Sequence, residues 1–242
     1  MKYAMKGSIS ISCGGSMVAA GPTPEDPSAL WSSVFLRQFR NLVVSQVKAD
    51  RAPIAITVGG GQISRKLIAT AKLVRPNLSA DELDKLGIRG TVINADLVQA
   101  ILEQYAYETV VTDPHLRIET KRPVIVCGGY KPGRSTDWCA VQRAITMGTK
   151  TVINVSNVAQ VCDKDPRDHT DAKPLERLSW QEYRALIPPP EKWTPGLSTP
   201  FDPVASQLAD ENNITVFVVS GDPVNLRHLL EGGGFIGTII EN

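Results

Sequence analysis

Three short β-branched runs in this chain each stop at glycine. Ser8–Cys13 (SISISC) runs into Gly14-Gly15-Ser16, Pro53–Val58 (PIAITV) into Gly59-Gly60-Gly61, and Pro123–Cys127 (PVIVC) into Gly128-Gly129. Short, nearly continuous Ile/Val runs bounded by glycine read as strands buried on both faces, and helix-period stretches lie between them. Strands alternating with helices predict an α/β fold: a three-layer α/β/α sandwich around a mainly parallel central sheet. No other feature limits the possible architectures as much.

The remaining pattern agrees. A helical stripe over 28–48 uses Leu30, Val34, Leu42 and Val47, broadened by Phe35, Leu36 and Phe39. Ser79 with Glu82 reads as a capping box opening a helical stretch that breaks at Gly87-Gly90 and runs to about Tyr105. TVVT at 109–112 reads as a strand, TDWCAVQRAITM as a helix closed by Gly148, and KTVINVS as the next strand. Ser179 with Glu182 is a second capping box, opening a helix over 180–187. TVFVVS, a helix capped by Asp222 and a final GTIIE strand follow, while the Pro-rich 187–203 reads as a loop over the surface or over a site.

The 242 residues can build one large α/β domain or two small ones. A formal net charge of +1 argues against a general nucleic-acid binder, which needs a basic face. The four cysteines, Cys13, Cys127, Cys139 and Cys162, show neither zinc spacing nor a C-x-x-C pair, and read as reduced thiols. No run approaches ~18 apolar residues, and no signal-peptide core stands at the N-terminus. The expectation is a cytoplasmic protein with no membrane partner. Cys13 and Cys127 both end strands, which makes thiol sensitivity there an expectation as well.

In parallel sheets ligands sit at the carboxyl ends of the strands, where all three glycine clusters fall. Each cluster alone can be a tight turn chosen for conformational reasons. Three at one edge also make a rim whose N–H groups and helix N-termini surround phosphate oxygens. The P-loop spelling is absent. Arg65, four residues after Gly61, and Lys131 and Arg134, in GGYKPGRSTD, are placed to meet an oxyanion. Their other reading is as solvated surface cations.

The segments VGGGQISRK, LDKLGIRGTVINA, GGYKPGRSTD, DKDPRDHTDAKPLERLSWQEY and PFDPVAS, in that order and spacing, carry a family resemblance. The chain resembles the amino acid kinase superfamily, and within it the UMP kinases of archaeal type. The resemblance covers nearly the whole chain. It implies a single amino acid kinase domain over 1–242, with 1–148 mainly binding the acceptor UMP and 149–242 mainly binding ATP. It also implies direct transfer of the ATP γ-phosphoryl to UMP, with Mg²⁺ accompanying ATP, in pyrimidine nucleotide biosynthesis. A homo-oligomer, typically a hexamer, is implied too.

Carried over by residue, Gly59, Gly60, Gly61 and Arg65 match positions holding the acceptor phosphate, and Asp84 matches a carboxylate on the UMP ribose. Thr91 and Asn94 match polar positions near the acceptor, with helix packing as their other reading. Ser135 and Thr136 match the pair that helps read uracil. The catalytic set implied is Lys131, Asp137, Gly14, Gly15 and Ser16. Asp137 would orient cations or Mg²⁺-bound phosphate; its other reading is a favourable first-turn acid. Gly14, Gly15, Asp163, Lys164 and Asp165 match the ATP side, although Asp-Pro also starts ordinary turns. No metal site of the protein's own is implied.

Transfer between two phosphates needs alignment and charge neutralisation but no general base. Isopentenyl phosphate kinases of this superfamily place a histidine beside their glycine cluster; here His115, His169 and His228 fall elsewhere. The chain also departs from the pattern. Ser12 stands where many members have a first-strand lysine, which makes Lys131 the candidate cation. Ala159, Gln160 and Cys162 replace an Asp-Gly and a following aromatic, removing a stacking surface for adenine worth about 1 kcal/mol. A non-catalytic nucleotide-binding relative with a degraded ATP site is therefore the alternative, as is a kinase of another small phosphate or carboxylate acceptor.

Overall fold

The computed structural model describes residues 1–242 except positions 4, 6, 24, 25, 27, 52, 193, 195, 196 and 198. Its strands are β1 (Ile9–Cys13), β2 (Ile54–Val58), β3 (Val124–Cys127), β4 (Thr151–Ser156), β5 (Val161–Cys162), β6 (Pro174–Leu175), β7 (Arg177–Ser179), β8 (Thr215–Ser220) and β9 (Thr238–Glu241). The helices are α1 (Gly15–Val18), α2 (Ser33–Lys48), α3 (Gly61–Val74), α4 (Ala80–Ile101), α5 (Thr136–Met147), α6 (Trp180–Leu186), α7 (Pro203–Glu211) and α8 (Pro223–Leu230).

Seven strands form one sheet in the order β3-β2-β1-β4-β8-β9-β7. β3 to β8 are parallel neighbours, β9 runs antiparallel to β8, and β7 pairs parallel with β9. The two-residue side-chain period of a strand sorts the core into layers. Ile9, Ile11, Cys13, Ile54, Ile56, Ile153, Val155, Phe217 and Val219 face one cluster with Phe39, Val98 and Leu229 of α2, α4 and α8. Val152, Val216, Val218 and Ile240 face the other, with Trp138, Tyr183 and Ala205 of α5, α6 and α7. On β1 the second face carries only Ser10 and Ser12. Short side chains there let α5 come close, and Ser10 Oγ donates to Ala140 O at 2.8 Å.

The helix signals hold at most ends. Ser135 caps α5, which closes on Gly148 in the left-handed region (φ 73°). Asp202 and Asp222 cap α7 and α8, each followed by proline at the first helical position. Ser179 and Glu182 form the full capping box. At Ser79 only half forms: its hydroxyl accepts from Glu82 N, while the Glu82 carboxylate takes Lys85 instead.

Several expectations are corrected. The 28–48 helix starts at Ser33. TVVT at 109–112 is not a strand: it touches β3 only through a single bridge, Val111 to Cys127, because the chain has already paired at Ala106 and bulges out between. α4 runs without a break through Gly87 and Gly90 and ends at Ile101. Those glycines serve the neighbouring helix. Ser64 Oγ of α3 donates to Gly87 O at 2.6 Å, and a Cβ on Gly90 would lie 2.3 Å from that hydroxyl. The β5–β6 hairpin and the sheet strand β7 went unread, since two- or three-residue strands have no period. Within the expected loop at 187–203, positions 193, 195, 196 and 198 lie outside the described residues. Pro190–Lys192 form one 3₁₀ turn, and Asn154 Nδ2 holds Pro200 O at 2.7 Å.

Candidate active site

β1, β2 and β3 deliver their glycine loops side by side at the carboxyl edge of the sheet. The first two loops interlock. A Cβ on Gly15 would fall 2.0 Å from Gly61 N and 2.6 Å from Gly59 C, and one on Gly59 would fall 2.4 Å from Gly15 N. Gly61 also has φ +52°, which disfavours a side chain independently. Gly59 N donates to Cys13 O, Gly14 N to Val155 O and Gln62 N to Ala19 O. The N–H groups of Gly15, Ser16, Gly60 and Gly61 have no protein acceptor among the described residues. They open α1 and α3 in two loops that touch, so unpaired donors and the positive end of α3 lie together at this edge of the sheet.

α4 braces this rim. Asn94, fully buried, donates to Gly59 O at 2.8 Å and Gly60 O at 2.9 Å, and accepts from Trp31 Nε1 at 2.8 Å. Its amide thus holds two of the loop's carbonyls in place. Thr91 acts alike on the third loop: its Oγ1 accepts from Gly129 N at 2.7 Å while donating to Ile88 O. Asp84 Oδ2 accepts from Gly133 N at 2.8 Å, and burial raises its pKa against that hydrogen bond. Arg65 stands exposed on α3, its Nε 3.4 Å from Gln62 Oε1. Lys131 is exposed with its ammonium 5.1 Å over the Tyr130 ring, and Arg134 stacks 4.9 Å over Trp138. Ser135 Oγ is occupied as the α5 cap, accepting from Trp138 N, and Thr136 begins that helix.

Asp137 sits at the junction of three elements. Ser12 Oγ of β1 donates to its Oδ1 at 2.6 Å, and the Asp202 N–H at the start of α7 donates to its Oδ2 at 3.2 Å. Burial is the main force pushing its pKa up, to about 6; the Ser12 hydroxyl opposes this and the neighbouring Asp202 charge adds to it. Among the described residues a hydroxyl and an amide hold this carboxylate, and no cation pairs with it. Sequence reasoning missed the Ser12–Asp137 and Asn94–Trp31 pairs. Spacing gives no signal for partners so far apart in the chain.

The ATP-side residues lie on the β5–β6 hairpin and its loop. Asp163 pairs with Lys173 through both N–H and carboxylate, Lys164 Nζ lies 2.6 Å from Asp171 Oδ2, and Asp165 is chelated by Arg167. The Arg167 hydrogen bonds hold the Asp165 carboxyl down to about 2. Both ion pairs are exposed, and such pairs contribute at most about 1 kcal/mol, so a phosphate can displace them cheaply. Gln160 is tied to Gly237 O, Ala159 is exposed and Cys162 is partly exposed. The thiol expectation is corrected. Cys13 and Cys127 are buried, and desolvation pushes them to about 12 and about 11, far from the thiolate form that reacts.

A doubly covered parallel sheet with glycine loops interlocked at its carboxyl edge defines the class. The chain belongs to the amino acid kinase family, whose model matches residues 11–220. Among curated relatives, the uridylate kinase of Staphylothermus marinus is 33% identical over 189 residues, covering 77% of this chain and 83% of that protein. The uridylate kinase of Thermoplasma acidophilum is 31% identical over 241 residues, 98% of each chain. Of solved structures, the uridylate kinase from Archaeoglobus fulgidus superposes with a TM-score of 0.77 at 26% identity, covering 98% of this chain and all of that one. The UMP kinase from Ureaplasma parvum, at 19% identity and TM-score 0.74, shows the same fold.

Proposed function

We propose that this chain is a UMP kinase that transfers the γ-phosphoryl of ATP directly to the phosphate of UMP, giving UDP and ADP. The observation that carries the reading is the interlocked Gly15/Gly59–Gly61 pair with its four N–H groups left for an anion. Kinase relatives matching nearly end to end support it. Residues 1–148 form the acceptor part, where Gly59, Gly60, Gly61 and Arg65 take the UMP phosphate and Asp84, Ser135 and Thr136 face the nucleoside. Thr91 and Asn94 hold those loops in place. Residues 149–242 form the ATP part with Asp163, Lys164 and Asp165, all within one amino acid kinase domain.

Gly14, Gly15 and Ser16 lie between the two nucleotides and present backbone dipoles to the transferred group. Such preorganised donors act where charge develops, and transfer between two phosphates asks little else of the protein. Lys131 supplies the positive charge that Ser12 does not. Magnesium would arrive with ATP and neutralise phosphate charge, and Asp137 is the carboxylate that would help hold it. Hard carboxylate oxygen suits that ion, and among the described residues no group of three or more His, Cys, Asp or Glu side chains could hold a metal alone. UDP as the product fits a role in pyrimidine nucleotide synthesis. Family resemblance supports a hexamer, and a cytoplasmic location fits the absence of any described helix long and apolar enough to cross a membrane.

One observation favours a second reading, a nucleotide-binding relative without turnover: Ala159, Gln160 and Cys162 offer adenine no ring. ADP release from ATP and Mg²⁺ with UMP, CMP, isopentenyl phosphate or acetylglutamate decides. Turnover with UMP above the others supports the kinase. UMP binding without any turnover supports the second reading.

A further inference from the structure

At the opposite, amino-terminal edge of β2 and β3, the segment 113–123 is pinned to α5. Thr146 Oγ1 donates to Pro114 O, and Arg143 Nη1 donates to Leu116 O. Between segment and helix lies an open cavity of about 670 Å³. That volume is in the range of small-molecule sites, which run from about 300 to 1,000 Å³. Four cations line it, Arg117, Lys121, Arg122 and Arg143, against one acid, Glu119. Apolar wall comes from Ile125, Ile145 and Met147.

The cations are unequally occupied. Arg122 already faces Glu108 and donates to Gln104 O. Arg117 and Lys121 are exposed and have no protein partner among the described residues. Arg143 is 1% exposed, and its Nε is shut off from water with no hydrogen-bond partner among the described residues. No described carboxylate pairs with it, and among the described residues the Leu116 carbonyl is its one acceptor. A buried guanidinium without a counter-charge is costly, and desolvation lowers its pKa accordingly. Its uncompensated charge lies against the cavity that it lines, where an anion would offset it. Planar guanidinium groups suit phosphate oxygens in two-point contact.

We propose that this cavity is a second anion site that takes a small phosphorylated molecule, separate from the glycine loops. Arg117 and Lys121 receive the phosphate at the mouth, Arg143 supplies positive charge from the floor, and the apolar wall takes any attached body. The proposal does not depend on the acceptor being UMP.

Inorganic pyrophosphate is the minimal probe, titrated calorimetrically into the full chain. Two classes of site are expected, one lost in Arg65→Ala and the other in the double variant Arg117→Glu/Lys121→Glu. The double reversal should weaken the second class at least about tenfold and leave kinase turnover unchanged. A nucleoside diphosphate run in parallel separates a bare anion from one with a body, tighter binding meaning that the wall is used. Arg143→Met should also remove the second class, with some loss of thermal stability because the hydrogen bond to Leu116 O goes with it. If that variant misfolds, the exposed pair decides alone. A single class abolished by Arg65→Ala, or second-class binding untouched by the double reversal, overturns the proposal.

Discussion

Ser12→Ala tests the junction at Asp137 most directly. The carboxyl is moved from its ordinary 3.8 to about 6, chiefly by burial. An acid with a raised pKa in the folded state binds its proton more tightly there than when unfolded. Its contribution to stability is therefore full at low pH and falls as pH rises through the window from 3.8 to about 6. At roughly 1.4 kcal/mol per tenfold, that decline is about 3 kcal/mol. The Ser12 hydroxyl, 2.6 Å from Oδ1, favours the ionised form and resists this shift. A hydrogen bond to a charged group contributes about 1.5–3 kcal/mol, so removing it should carry Asp137 upward by a further one to two pH units or so.

Two measurements follow from this. Denaturant unfolding should show Ser12→Ala costing about 1 kcal/mol near pH 5 and about 2 kcal/mol more near pH 8. The acid limb of the turnover profile should move to higher pH by at least about one unit, if ionised Asp137 serves the reaction. An equal cost at both pH values, or a larger cost in acid, refutes the reasoning. So does an acid limb that does not move.

Three other outcomes are expected. Gly15→Ala puts a methyl 2.0 Å from Gly61 N, on backbone that cannot swing aside, and should cost more than about 2 kcal/mol along with nearly all turnover; an unchanged melting temperature would contradict the interlock. Asn94→Ala orphans the Gly59 carbonyl and Trp31 Nε1 and leaves Gly60 O with Ser64 N alone, costing about 2–4 kcal/mol and raising KM for the acceptor more than it lowers kcat. With a thiol-titrating reagent, only Cys162 should react in the native protein and all four cysteines after denaturation; rapid native labelling of Cys13 or Cys127 would contradict their burial.

The parallel sheet was legible because Ile/Val runs ending in glycine admit few other readings, and the strands so read at 8–13, 53–58 and 123–127 are present. Glycine was also where reading failed. Gly87 and Gly90 look like helix breakers in one dimension, but they exist for Ser64 of the neighbouring helix, which only packing reveals. That the glycine clusters share one edge of the sheet was legible; that two of the loops interlock was not, since that follows from strand adjacency. At the site, residue types were readable and partnerships were not. Ser12 marked a missing lysine in the sequence, whereas in the fold it holds Asp137 across 125 positions. Lys131, expected to replace that lysine, stands over Tyr130, and only the order of the folded loops decides where its charge falls.

The sheet's far edge has a consequence for how the molecule is made. β7 has a single sheet neighbour, β9, and β9 lies between β7 and β8 although it comes last of the three in the chain. During synthesis the five strands from β3 to β8 can assemble as soon as Ser220 has emerged, but β7, made earlier, must wait for Thr238–Glu241. Until then the hydrogen-bonding edges of β8 and β7 are both open, and it is over this interval that a chaperone or a competing strand has its opportunity.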